Sequence, residues 1–263
     1  MKKPIVSVPV LLLLFMLFQF PAAAQRALKG TPVVEPQKFL KDIMSLLIYK
    51  KDHLRFAEEF TGYDQNGRPI GRGPFLKLLA TGSYVPIALT SQSGKTTYQL
   101  DLLPPGADRD LRTVIRQWGE TYYDQFSREG QVLPAMDFVD LEGRRYTPES
   151  TRGKIVVLKC WFISCLPCVQ EMPELNRLVE RYRNRKDILF VSLAIDPKDK
   201  LVAFLRKTTF RYAVVPEKGS YMSKQLRISA YPTHLVINGD GKIARMVNDP
   251  DELVVALSEV ADK

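Results

Sequence analysis

Residues 5–20 are apolar almost without a break, interrupted at Ser7, Pro9 and Gln19. Lys2 and Lys3 precede the run, and Ala22 and Ala24 follow it at cleavage spacing. A basic head, an apolar middle and a small-residue exit predict a secretory signal, residues 1–24, cut after Ala24. The run is short for a bilayer span, which argues against a retained anchor. No cysteine stands at the cut, so a lipid-anchored form is not expected. An exported, periplasmic location follows from this reading.

Beyond the signal the pattern changes twice. Phe39, Ile43, Leu46, Leu47 and Leu54 fall near helical spacing and predict a helix. Asn66-Gly67 marks a tight turn. "YVPIALT" and "TYQLDLL" read as short strands, with a loop at residues 91–94. Pro104 to Gly106 breaks the chain, and Asp108 can cap a helix over residues 109–128. Leu111, Ile115, Trp118, Tyr122 and Phe126 form one apolar stripe on it. Residues 25–128 are thus an α+β region whose role no motif reveals. By size it suits a partner-binding or dimer module.

From Gly130 onward strands alternate with helices. "AMDFVDLEGRRYT" reads as a hairpin turning at Glu142-Gly143. "KIVVLKCWF" and "DILFVSLAI" are buried strands, each followed by a helical pattern, and "YAVVP" is a shorter strand. "SYMSKQLRI" reads as a short helix. "THLVIN" and "KIARMV" are strands joined by a turn at Asn238 to Gly241, and "PDELVVALSEV" is a last helix with Asp249 as its cap. This order predicts a mixed α/β sheet covered on both faces.

The composition, 45% hydrophobic and 25% charged, is that of a chain able to build a core without staples. Three cysteines are too few for a disulfide scaffold. The formal charge of +9 becomes +7 once Lys2 and Lys3 leave with the signal. That balance suits acidic partners or anionic surfaces. No nucleic-acid module accompanies it. The basic run Arg181 to Lys186 ends a predicted helix, where cations answer the dipole.

The cysteines cluster: Cys160, Cys165 and Cys168. Cys165-Leu166-Pro167-Cys168 lies between a buried strand and a helix. Unpaired N–H groups and the positive end of the dipole there stabilise a thiolate. The two-residue spacing lets the second thiol close a disulfide, and Pro167 is tolerated in a first helical turn. Zinc sites also use this spacing, but a tetrahedral site needs about four ligands. Cys160, His53 and His234 lack paired-ligand spacing. A soft copper set of Cys165, Cys168 and His234 is an alternative. Against it stands the reading of His234 as a strand residue facing away.

"VVLKCWFISCLPCVQEMPELNRL" resembles the active-site segment of the TlpA/ResA group of thiol–disulfide oxidoreductases. Trp161 and Glu171 match residues flanking the cysteine pair, and "ISAYPTHLVINGDGKI" resembles the group's cis-proline segment, with Pro232 in the proline place. The resemblance covers residues 129–263. It implies a thioredoxin-like mixed sheet flanked by helices. It implies that Cys165 is the nucleophile and Cys168 the resolving thiol. Pro232 would be cis and packed against the pair, with Tyr231 offering backbone groups to a bound peptide. Glu171 would tune the thiols or relay a proton, or would only answer the helix dipole. Trp161 stands beside the site and joins Tyr231 as a substrate-contact candidate. No cofactor or metal is implied. The implied partners are disulfide-containing exported proteins, apocytochrome c among them, and a membrane thiol-reductant donor. The direction of electron flow stays open. A thiol peroxidase is the weakest reading, since Phe162 stands where such enzymes carry threonine.

Two positions depart from the thioredoxin pattern. Lys159 replaces a buried aspartate and shares a strand face with Val157 and Trp161. It either pairs with Glu171 and favours a thiolate or snorkels to solvent. Cys160 alternates with Val156 and Leu158 on the opposite face, as a small buried hydrophobe.

Overall fold

A computed structural model describes residues 28–90 and 94–262. The predicted signal and residues 91–93 of the predicted loop lie outside the described residues.

The first part contains α1 (Pro36–Phe39), α2 (Ile43–His53), β1 (Thr61–Tyr63), β2 (Pro69–Ile70), α3 (Arg72–Leu79), β3 (Tyr84–Ala88), β4 (Thr97–Leu102) and α4 (Arg109–Arg128). Its sheet has the order β2-β1-β4-β3, with β1 parallel to β4 and the other pairs antiparallel. The single helix expected near residues 39–54 is two helices. Asp42 divides them, because its carboxylate caps α2 by accepting from the Ser45 N–H at 2.7 Å. Of the residues at helical spacing, Phe39, Leu46 and Leu54 are buried, whereas Ile43 and Leu47 are exposed and Tyr49 joins the packing. The Asn66-Gly67 turn is present, with Gly67 at φ +71° and the Asp64 carboxylate accepting from the Asn66 and Arg68 N–H groups. Asp108 caps α4 through Asp110 and Leu111.

The second part runs through β5 (Phe138–Val139), β6 (Arg145–Tyr146), α5 (Pro148–Thr151), β7 (Ile155–Trp161), α6 (Leu166–Gln170), α7 (Met172–Arg181), β8 (Ile188–Ala194), α8 (Lys198–Leu205), β9 (Ala213–Val215), a π-helical turn (Tyr221–Gln225), β10 (Thr233–Ile237), β11 (Ile243–Val247) and α9 (Pro250–Ala261). The β5–β6 hairpin turns at Gly143, φ +83°. The main sheet has the order β11-β10-β7-β8-β9. β7, β8 and β9 are parallel, and β10 runs antiparallel to both β7 and β11. β7 is central, which is why both of its faces are apolar. The helix predicted after the cysteines is two helices, α6 and α7, meeting at Glu171.

Each sheet face has its own core. Val156, Leu158 and Cys160 pack with Phe138, Tyr146 and Met222. On the other face, Val157, Val236 and Val247 join Leu178 of α7 and Leu253 of α9. That second cluster continues without a break into Leu111 and Ile115 of α4 and Tyr98 of β4. Polar contacts reinforce the junction. The Tyr122 hydroxyl donates to Glu252 at 2.6 Å, Arg245 bridges Glu59 and Glu259 at 2.9 Å each, and Arg128 donates to the Leu226 carbonyl. Among the described residues no helix is long and apolar enough to cross a membrane.

Candidate active site

β7 delivers the cysteine pair. Its apolar run ends at Trp161, and the chain turns so that the Cys165 N–H donates to the Phe162 carbonyl at 3.1 Å. The Asp196 carboxylate pins the turn by accepting from the Ile163 N–H at 2.7 Å. Cys165 then occupies the N-cap of α6, and its sulfur accepts from the Cys168 N–H at 3.3 Å. The two cysteines form a disulfide with their Cα atoms 5.3 Å apart. Cys165 retains 6% exposure and Cys168 none, so a partner can reach only the first sulfur. Leu166, 66% exposed, stands beside it.

Behind the disulfide lies a buried polar cluster. Lys159 on β7 is fully buried, which excludes the snorkelling alternative. Its ammonium pairs with Glu171 and donates to the Cys168 carbonyl at 3.0 Å. His234 does not face away as expected. It is paired with Lys159 across the β7–β10 ladder, and its Nε2 lies 3.2 Å and 3.3 Å from the two Glu171 carboxylate oxygens. Burial pushes the Glu171 carboxyl up, but the hydrogen bond and charge of His234 and the Lys159 ammonium outweigh it and leave it below its ordinary value. Burial also pulls the Lys159 ammonium and the His234 imidazolium down, against the opposing pull of Glu171. The geometry pairs the Lys159 ammonium with the Glu171 carboxylate, and His234 closes on that carboxylate through Nε2.

The loop before β10 forms the other side of the site. The Tyr231–Pro232 peptide bond is cis. Tyr231 is partly exposed and meets Phe162 edge-on, ring centroids 5.3 Å apart. Asn248, which follows β11, donates from Nδ2 to the Pro232 carbonyl at 2.7 Å and to the Thr233 hydroxyl at 2.8 Å. Gln125 of α4 in turn donates to the Asn248 side-chain oxygen. Neither Asn248 nor Gln125 carries a sequence signal of this role. A polar residue late in a helix and a strand-end asparagine are common.

Two expectations need correction. Trp161 is fully buried, wedged between Phe204 and Phe210 with centroids 5.8 Å and 5.7 Å away, so it supports the site and does not touch a substrate. The copper set of Cys165, Cys168 and His234 is not assembled, because His234 is turned onto Glu171. Among the described residues no three His, Cys, Asp or Glu side chains are grouped to hold a metal. Cys160 lies in the core of the opposite face, where burial pushes its thiol up to about 12.

The strand order, the cysteine pair at a helix start after the central strand, and the cis bond before the antiparallel strand define a thioredoxin-like α/β fold. The AhpC/TSA family model matches residues 130–246. The thiol-disulfide oxidoreductase ResA of Bacillus cereus is 30% identical over 132 residues, 48% of this chain and 76% of that protein. ResA of Geobacillus thermodenitrificans is 29% identical over 149 residues, 52% of this chain and 85% of that protein. A solved thiol-disulfide oxidoreductase from Bacteroides fragilis covers 49% of this chain and 98% of its own, at 22% identity and a TM-score of 0.45. The chain belongs to the ResA-like thiol–disulfide oxidoreductases and is an enzyme of that class.

Proposed function

We propose that the protein is exported and reduces disulfides of exported partner proteins through Cys165 and Cys168, apocytochrome c being one candidate substrate. The unequal exposure of the two cysteines supports Cys165 as the residue that meets the partner. In the reduced enzyme the Cys165 thiolate attacks a partner disulfide, forming one mixed disulfide and releasing the other partner sulfur as a thiolate. Cys168 loses its proton to Glu171 and attacks the Cys165 sulfur. The Cys165–Cys168 bond forms, the bond to the partner breaks, and the second partner sulfur leaves as a thiolate. Protons from Glu171 and solvent convert the partner sulfurs to thiols. Two electrons have moved from enzyme to partner, and a membrane-bound dithiol donor restores them. Pro232 and Tyr231 present backbone to the partner chain. The apolar residues 5–20 after Lys2 and Lys3 support export.

Residues 25–128 serve in this reading as the partner-selecting part. Thr121 and Gln125 of α4 face residues 227–230 across a cavity of about 260 Å³, directly beside the cis-proline loop. The test is a trap. Cys168→Ser is expected to accumulate mixed disulfides with exported proteins in the native compartment, and these disappear in Cys165→Ser/Cys168→Ser. A trap that captures nothing removes the reading.

A further inference from the structure

Lys159, Glu171 and His234 are three ionisable side chains from three elements, buried together behind one disulfide. Burying charge is costly unless it is paired, and an apolar cluster of the same volume would pack here at less cost. The arrangement is also specific. One ammonium holds both the Glu171 carboxylate and the Cys168 carbonyl, so it joins the carboxylate to the backbone of the resolving cysteine. One imidazole nitrogen faces both carboxylate oxygens from the opposite strand. The other, Nδ1, is buried with no partner, so Nε2 is the nitrogen that carries the proton toward Glu171. The carboxylate is therefore held from two sides and cannot rotate away.

We propose that Lys159 and His234 are positioning residues. They fix the ionised carboxylate of Glu171 behind Cys168 and so set how acidic the medium can become before Cys168 stops resolving the mixed disulfide. This rests on the reading of Cys168 as the resolving thiol. The chemistry is the second step above, in which the Cys168 proton passes to Glu171 as the sulfur attacks Cys165. It requires Glu171 as the anion. Other groups around the cluster do not replace the two positioning residues. Tyr212, before β9, is buried with its hydroxyl unpartnered, and burial holds that hydroxyl protonated. Asp249, the cap of α9, acts on His234 from a distance as a further negative charge. The Phe210 ring lies 5.8 Å from the Lys159 ammonium and adds no proton site.

The sign follows from Coulomb attraction. Removing the Lys159 charge makes the Glu171 anion harder to form, so the acid limb of the resolving step moves to higher pH. The experiment mixes reduced enzyme with a disulfide-bonded peptide and follows the mixed disulfide by acid quench and mass spectrometry from pH 5 to 8. Adduct formation and adduct resolution are read as separate phases in Lys159→Met. Resolution at pH 6 is expected to slow by about tenfold or more, recovering toward pH 8. His234→Gln, which keeps an N–H donor, is expected to shift the limb less and in the same direction. Lys159→Met placed on Glu171→Gln should add nothing further, and that pair buries no unpaired charge, so it reports even if Lys159→Met alone folds poorly. A Lys159→Met profile superimposable on the parent, or an additive loss in the double variant, overturns the proposal. If the Cys168→Ser enzyme forms no adduct with the peptide, the underlying assignment fails instead.

Discussion

Asn248 offers a sharp test of how the cis-proline loop is held. Replacing it with alanine removes two donated hydrogen bonds, to the Pro232 carbonyl at 2.7 Å and the Thr233 hydroxyl at 2.8 Å. It also strands the Gln125 amide of α4, which is 4% exposed and already has an unpartnered oxygen. A hydrogen bond is worth about 1 kcal/mol net, and a buried group left unpaired costs about 1–3 kcal/mol. Water can reach the Pro232 side, so that loss sits near the lower figure, and the stranded amide sits higher. The sum is about 2–4 kcal/mol, a large share of the roughly 5–15 kcal/mol that holds a domain folded. Urea unfolding of the oxidised protein measures it as a lower midpoint at unchanged slope. Under the proposed function, peptide-disulfide reduction should fall as well, because the loop that would offer Tyr231 and Pro232 backbone to a peptide loses its anchor. Alkylation of Cys165 in the reduced enzyme should not change, since Asn248 makes no contact with α6 among these bonds. A loss below about 0.5 kcal/mol with unchanged turnover would refute the reasoning, because surface substitutions alone stay within that range.

Gly119→Ala sets helix propensity against packing. Alanine gains about 1 kcal/mol in a helix interior, yet its Cβ would lie 2.2 Å from the Ala80 nitrogen, which is backbone and cannot swing aside. The clash should win and lower stability by about 1–3 kcal/mol in thermal or urea unfolding; a stabilised variant would contradict the α3–α4 contact. The Cys160 thiol, pushed up to about 12, stays protonated and buried between pH 7 and 9. Iodoacetamide should therefore label the reduced native protein at most on Cys165 and Cys168, with one further adduct only after denaturation, and a third native adduct by mass spectrometry would disprove its burial.

The two halves were unequally legible. From Gly130 onward the alternation of strands with helices fixes the layers, because the seven-residue β7 and β8 and the helices α7 and α9 are long enough to show a period. Before Gly130 the signals are short or contradictory. β1 and β2 span three and two residues, too few for any alternation to appear. α3 begins Arg72-Gly73-Pro74, a sequence that reads as a break. A helix forms there all the same, because a proline in a first turn lacks no helical partner, and Gly73 leaves room where Phe126 packs against it, 2.4 Å from where a Cβ would stand. In the site, the cysteine pair was legible because local spacing determines it. Lys159 could be placed on the face of Trp161 from strand alternation alone. His234 could not, because its facing depends on the antiparallel register that sets it opposite Lys159, a pairing of residues distant in the chain.

The apolar cluster that runs from Val247 and Leu253 into Leu111 and Ile115 has a practical corollary for protein engineering. The redox half is continuous in sequence, but part of its interior lining is on loan from α4. Anyone transplanting that half into a fusion, or trimming the gene to its recognisable portion, would expose an oily flank that the borrowed helix now covers. Keeping that cover means carrying α4, upstream of where family resemblance begins, together with α3, against which α4 packs its own apolar side.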